Sequence, residues 1–222
     1  MELFIDTTKI EEVSRLSNIY PIKGITTNPL IFAKEFPDDN LNAYYNTLKE
    51  LAKFNKPLCV QPTGNTIDEM LRQSNTLFEF LPRENIYLKI PANVLGLEVI
   101  KRLPNVQILA TACMNWEQAL IYSQFENVKY AAFYWSGMTD HFIDAAKQLT
   151  KGIEITSRTP LKIMAAGFRD WDSAEKAMQL TPHAITIPPA LFHEFDRRLE
   201  NLTTQYYCQR FNMTYREIER KK

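Results

Sequence analysis

Asn85-Ile-Tyr-Leu-Lys-Ile-Pro91 is a short, nearly continuous apolar run closed by a proline, and it carries one lysine, Lys89. Such a run reads as a strand buried on both faces. A lysine inside it either threads its ammonium out to water or is kept partly neutral by desolvation. A neutral amine is a nucleophile that can form a Schiff base with a carbonyl compound. A strand lysine that merely snorkels to an edge fits the same pattern, so the surrounding chain has to decide.

Seven further runs of this kind accompany 86–90, at residues 3–6, 22–27, 58–61, 107–110, 130–134, 161–166 and 184–187. Between them the apolar residues fall at helical spacing, over 10–19, 41–54, 67–80, 94–103, 116–125, 142–155 and 172–180. Thr8 and Thr66 stand where helix caps belong. Eight apolar strands alternating with helices predict an α/β fold, a (β/α)8 TIM barrel. The other architecture with this alternation is an open doubly wound sheet. It lacks support because no Gly-x-Gly-x-x-Gly follows the first strand, and the chain has only 6 glycines. A nucleotide-binding or redox role falls with it. The barrel is expected over residues 1–200 as a single domain. Residues 190–222 are long enough for two helices, the last of them (201–222) an extra C-terminal helix suited to contacts with a neighbouring subunit.

Composition narrows the function classes. Of 222 residues 45% are hydrophobic, which supports a large core, and 26 basic side chains balance 26 acidic ones. That balance offers nothing to draw in nucleic acid or an anionic membrane. Cys59, Cys113 and Cys208 are too few and too scattered for a disulfide framework or a zinc site. His141, His183 and His193 lack ligand spacing, so neither metal nor cofactor is expected. The start, Met-Glu-Leu-Phe-Ile-Asp, enters a strand without a signal-peptide pattern, and no apolar run approaches the ~18 residues of a membrane span. A cytoplasmic location is expected.

Barrel chemistry sits at the carboxyl ends of the strands. Those ends bear Asp6, Thr27 and Asn28, Gln61, Lys89, Thr111, Tyr134, and then Gly167 and Arg169. Each has a plain structural reading as well: Asp6 as a helix cap, Thr27-Asn28-Pro29 as a turn, the others as strand closures. Their recurrence at one level around Lys89 favours a site. Such a set suits amine catalysis of carbon–carbon bond exchange, in which the lysine attacks a ketose carbonyl and loses water to form an iminium. Asp6 and Tyr134 would then move protons, with Gln61 and Thr111 positioning a water.

Met-Glu-Leu-Phe-Ile-Asp-Thr (1–7), Gly-Ile-Thr-Thr-Asn-Pro (24–29), Leu-Lys-Ile-Pro (88–91), Leu-Ala-Thr-Ala (109–112), Ala-Ala-Gly-Phe-Arg (165–169) and Ala-Ile-Thr-Ile-Pro (184–188) occur in this order. In these motifs the chain resembles the small transaldolase and fructose-6-phosphate aldolase family over roughly residues 1–200. The resemblance implies a barrel, a class I mechanism and a ring-like homo-oligomer, a pentamer or decamer, whose C-terminal helix reaches an adjacent subunit. It makes Lys89 the Schiff-base lysine, Asp6 the acid/base partner and Asn28, beside Thr27, the binder of donor hydroxyls. Gln61, Thr111 and Tyr134 would hold the catalytic water. Gln61 and Tyr134 are the aldolase-like choices, where transaldolases carry glutamate and phenylalanine.

Two positions depart from the family pattern. Gly137 stands where an arginine usually grips a substrate phosphate, and Gly167 where a serine is usual, while the basic residue Arg169 is retained. Arg158 or Lys162 would have to supply the missing charge, or the natural acceptor carries no phosphate there. Three functions follow as expectations. The first is direct aldol cleavage or synthesis with a dihydroxyacetone donor, handling fructose 6-phosphate poorly. The second is transaldolase transfer of dihydroxyacetone between sugar phosphates, and the third is a catalytically idle barrel kept as a binding or structural subunit.

Overall fold

β-Branched and aliphatic residues dominate the short runs, and each forms a parallel strand. The computed structural model describes residues 1–220. In chain order the first half holds β1 (Glu2–Asp6), α1 (Ile10–Ile19), β2 (Ile22–Thr26), α2 (Pro29–Glu35), α3 (Leu41–Ala52), β3 (Leu58–Val60), α4 (Ile67–Phe80), β4 (Ile86–Pro91) and α5 (Val94–Lys101). The second half continues with β5 (Gln107–Cys113), α6 (Trp116–Tyr122), β6 (Val128–Tyr134), α7 (Trp135–Asp140), α8 (Ala145–Thr156), β7 (Lys162–Ala166), α9 (Trp171–Gln179) and β8 (Ala184–Ile187). Two more helices follow, α10 (Phe192–Leu199) and α11 (Leu202–Glu219). The eight strands close in sequence order, and β8 pairs with β1 through Phe4↔Thr186 and Ile5↔Ile187. The expected (β/α)8 barrel with an added C-terminal helix is the fold.

Two compact units divide between Pro189 and Ala190. The first holds the barrel. The second comprises α10 and α11, the two helices expected there; residues 221 and 222 of the expected terminal segment lie outside the described residues. Among the described residues no helix is long and apolar enough to cross a membrane.

Two helices were not expected. Asn28 caps α2 by accepting from Ile31 N at 2.9 Å, and Pro29 opens that helix at the position where its missing N–H costs nothing. The segment expected as a turn is thus a helix start, with its cap at the barrel mouth. Helix α7 begins directly after Tyr134, so Trp135 leaves the strand and packs beside Phe168, ring centroids 6.3 Å apart. Strand β5 runs on to Cys113 through a register shift between Ala110 and Cys113, where Ala112 adopts φ +58°.

Side-chain alternation fills the barrel with Phe4, Cys59, Leu109, Tyr130, Ala132 and Met164, joined by Tyr87 and Tyr134. At the amino ends of the strands, Glu2 accepts from Tyr130 Oη and Lys162 Nζ, both at 2.6 Å. Burial pushes the Glu2 carboxyl up, but those two hydrogen bonds and the Lys162 charge bring it below its ordinary value. The carboxyl ends are left for the site.

Candidate active site

Because the strand period is 2, Asp6 on β1, Thr26 on β2 and Lys89 on β4 all turn inward at the upper end of the barrel. There they line a cavity of about 140 Å³ with Asn28, Tyr134, Gly167 and Thr186. Its remaining wall is apolar, from Ile31, Leu109, Ala132, Met164 and Ala166. The space is well below the ~300–1,000 Å³ of pockets that enclose drug-sized ligands, and suits a fragment of a few carbons.

Lys89 is 3% exposed, and its ammonium donates to Thr27 O at 3.0 Å. It neither snorkels nor lies free. Burial favours loss of its proton, yet the Tyr134, Asp6 and Cys59 side chains favour retention and together hold its pKa above the ordinary lysine value. Desolvation alone would have given the opposite direction. Asp6 is raised, first by burial and further by the Glu35 charge, against the pull of Lys89 and a hydrogen bond from Thr26. Thr26 Oγ1 donates to Asp6 Oδ1 at 2.6 Å and lies 2.6 Å from Thr186 Oγ1, so a chain of hydroxyls fixes the carboxylate. Glu35 itself accepts from Thr8 N at 2.7 Å and from the hydroxyls of Thr7 and Thr8.

The candidate residues divide into those on the cavity wall and those beside it. Asp6, Asn28, Lys89, Tyr134 and Gly167 line it. Thr111 is buried one step behind, its hydroxyl 2.9 Å from Tyr134 Oη. Thr27 contributes its carbonyl to Lys89, while its own hydroxyl is buried without a hydrogen-bond partner among the described residues. Gln61 follows β3, half-buried, and is not on the wall. Arg169 stands outside the cavity, two residues past Gly167, in a two-pronged ion pair with Asp140: Nη1 to Oδ1 2.9 Å, Nη2 to Oδ2 2.5 Å. Thr26 and Thr186 were missed by the sequence reading. The signal was present, since each is a hydroxyl at an inward register position near the end of an otherwise apolar strand, Thr26 in register with Asp6 and Thr186 with Phe4 on the same strand. No group of three or more His, Cys, Asp or Glu gathers among the described residues.

Solved structures with the same fold include thiamine phosphate pyrophosphorylase from Pyrococcus furiosus, with a TM-score of 0.57 at 16% identity over 84% of this chain and 85% of that one. Dihydrodipicolinate synthase from Rhodopseudomonas palustris gives 0.57 at 11%, over 83% of this chain and 69% of that one. These likenesses are of architecture. Sequence relatives say more. A probable fructose-6-phosphate aldolase of Streptococcus pneumoniae is 28% identical over 197 residues, covering 86% of this chain and 87% of that protein. A probable transaldolase of Symbiobacterium thermophilum is 25% identical over 199 residues, 87% and 88% of the two chains. Residues 3–220 match the model of a single enzyme family, described as transaldolase/fructose-6-phosphate aldolase. With the barrel closed, a buried lysine at its mouth and that match running almost from end to end, this chain belongs to the transaldolase/fructose-6-phosphate aldolase family.

Proposed function

We propose that the protein is a class I aldolase that makes or breaks a carbon–carbon bond of a ketose through a Schiff base on Lys89, with dihydroxyacetone as the donor fragment. The observation that carries this reading is the buried Lys89 amine sharing one small cavity with Asp6, Asn28 and Tyr134. The surroundings of Lys89 favour its protonated form, so the amine must pass a proton on before it attacks. Asp6 is the nearby acceptor whose raised pKa makes it a competent base. Attack on the ketose carbonyl gives a carbinolamine; Asp6 then returns its proton to the carbinolamine hydroxyl, which leaves as water and gives the iminium, with Asp6 again a carboxylate. The iminium then draws in the electron pair of the bond beyond the adjacent carbon, while Asp6 takes the hydroxyl proton of the departing aldehyde. An enamine remains on Lys89; protonation and hydrolysis release the donor and restore the amine.

The other residues hold this geometry. Asn28 Oδ1 is occupied by Ile31 N, which leaves its Nδ2 to donate to a donor hydroxyl. Thr26 engages Asp6 Oδ1 and leaves Oδ2 for the substrate. The Tyr134 and Thr111 hydroxyls form a pair that, together with Gln61, orients the water of the carbinolamine step. Borohydride reduction in the presence of dihydroxyacetone, followed by peptide mass mapping, is the direct test. A covalent adduct on Lys89 that vanishes in Lys89→Met is expected; an unmodified Lys89 in the wild type refutes the amine mechanism.

Transaldolase transfer is the second reading, favoured by the relatives named as probable transaldolases. Release of free dihydroxyacetone without an acceptor separates cleavage from transfer. The same proposal places the protein in the cytoplasm as a homo-oligomer, acting without nucleic acid or membrane. Support comes from the three free cysteines and from α11, which exposes Leu202, Tyr206, Tyr207, Phe211, Met213 and Ile218. Sedimentation velocity should report a multiple of the 25.9 kDa chain, reduced by Phe211→Glu; a monomer at every concentration would rule the assembly out.

A further inference from the structure

The charge inventory at the cavity mouth points to what the acceptor end admits, given the Lys89 amine mechanism on which this inference rests. Among the described residues Lys89 is the one cation on the wall, and the chemistry ties its nitrogen up in the iminium. Asp6 faces the same space, and Glu35 stands close enough to act on Asp6. Arg169 stands two residues past the wall residue Gly167. Its partner Asp140 ends α7, the helix that starts directly after the wall residue Tyr134. Ser136 N donates to Gly167 O at 3.1 Å, which ties α7 to the loop carrying Arg169 on that side of the cavity.

Both Nη groups of Arg169 are taken by the two Asp140 oxygens, the arrangement in which a guanidinium would otherwise receive a phosphate. His141, beside Asp140, lies with Nδ1 2.8 Å from Gly137 O. An incoming phosphate would therefore meet an occupied fork and a carboxylate of its own sign. We propose that Asp140 is a specificity-determining residue: by occupying Arg169 it makes the acceptor end of the site selective for uncharged aldehydes over phosphorylated ones.

Aldol addition of dihydroxyacetone to D-glyceraldehyde and to D-glyceraldehyde 3-phosphate tests this with the full chain. The wild type is expected to show the higher kcat/KM with the unphosphorylated aldehyde. Asp140→Asn, which keeps the shape and removes the charge, should raise the ratio of phosphorylated to unphosphorylated kcat/KM by roughly tenfold or more, the scale of one charge-assisted fork. Adding Arg169→Ala should erase that gain. A wild type that prefers the phosphorylated aldehyde, or a smaller change in the ratio, overturns the proposal. If neither aldehyde turns over, the dissociation constant of glycerol 3-phosphate decides instead. Tightening by roughly tenfold in Asp140→Asn upholds the role, and no tightening defeats it. Borohydride trapping with dihydroxyacetone alone keeps the two readings apart: an adduct on Lys89 with an unaltered ratio removes the role of Asp140 and leaves the amine mechanism standing.

Discussion

Asp6 and Lys89 set each other's charge. Burial raises the Asp6 carboxyl, and the Lys89 ammonium pulls it back toward its ordinary value. Lys89→Met removes that pull without adding a hydrogen-bonding group, so Asp6 should titrate higher in the variant than in the wild type. A carboxyl whose pKa is raised on folding contributes stability that is complete below its unfolded value, 3.8, and is lost as pH climbs through the folded value. In Lys89→Met that decline should extend to higher pH. Carbon-13 titration of the Asp6 carboxyl and melting temperatures across the same range measure both effects. A carboxyl that titrates at or below the wild-type value would show that Lys89 does not act on it.

Packing of elements against the barrel depends on small residues at close approaches. Helix α8 packs on β7 and reaches β6 where Gly152 faces the Phe133 ring: a Cβ there would come within 2.7 Å of Phe133 Cζ. Phe133 is 1% exposed, so a shift of its ring has to displace packed neighbours. Gly152→Ala gains up to ~1 kcal/mol of helix propensity, against an overpacking cost of ~1–3 kcal/mol. A net loss of stability in urea unfolding is expected, and a midpoint equal to or above the wild type would mean that the helix simply shifts. Helices α2 and α7 show where periodicity fails as a guide. Each has fewer than eight residues, too few for a repeating apolar face, and each is set by its start: the Asn28 cap with Pro29, and the end of β6 at Tyr134.

For the whole molecule, the two ends of the barrel divide the work. Glu2, Tyr130 and Lys162 knit β1, β6 and β7 at the amino ends, whereas the carboxyl ends carry Asp6, Thr26, Lys89 and Thr186 around open space. The barrel and the inward position of Lys89 were legible from the chain because eight apolar runs and a period of 2 are local properties, present in each segment before it meets another. Asp6, Asn28, Tyr134 and Gly167 followed from the same rule applied to strand ends. Contacts between segments far apart in the chain were not legible. Asp140 lies 29 residues from Arg169, and Thr26 lies 160 from Thr186; no local pattern says that either pair will meet. Nor could the strand alone give the charge of the Lys89 amine. Its burial is written into Asn85–Pro91, but the side chains that outweigh burial arrive from β1, β3 and β6, and only the closed barrel brings them within reach.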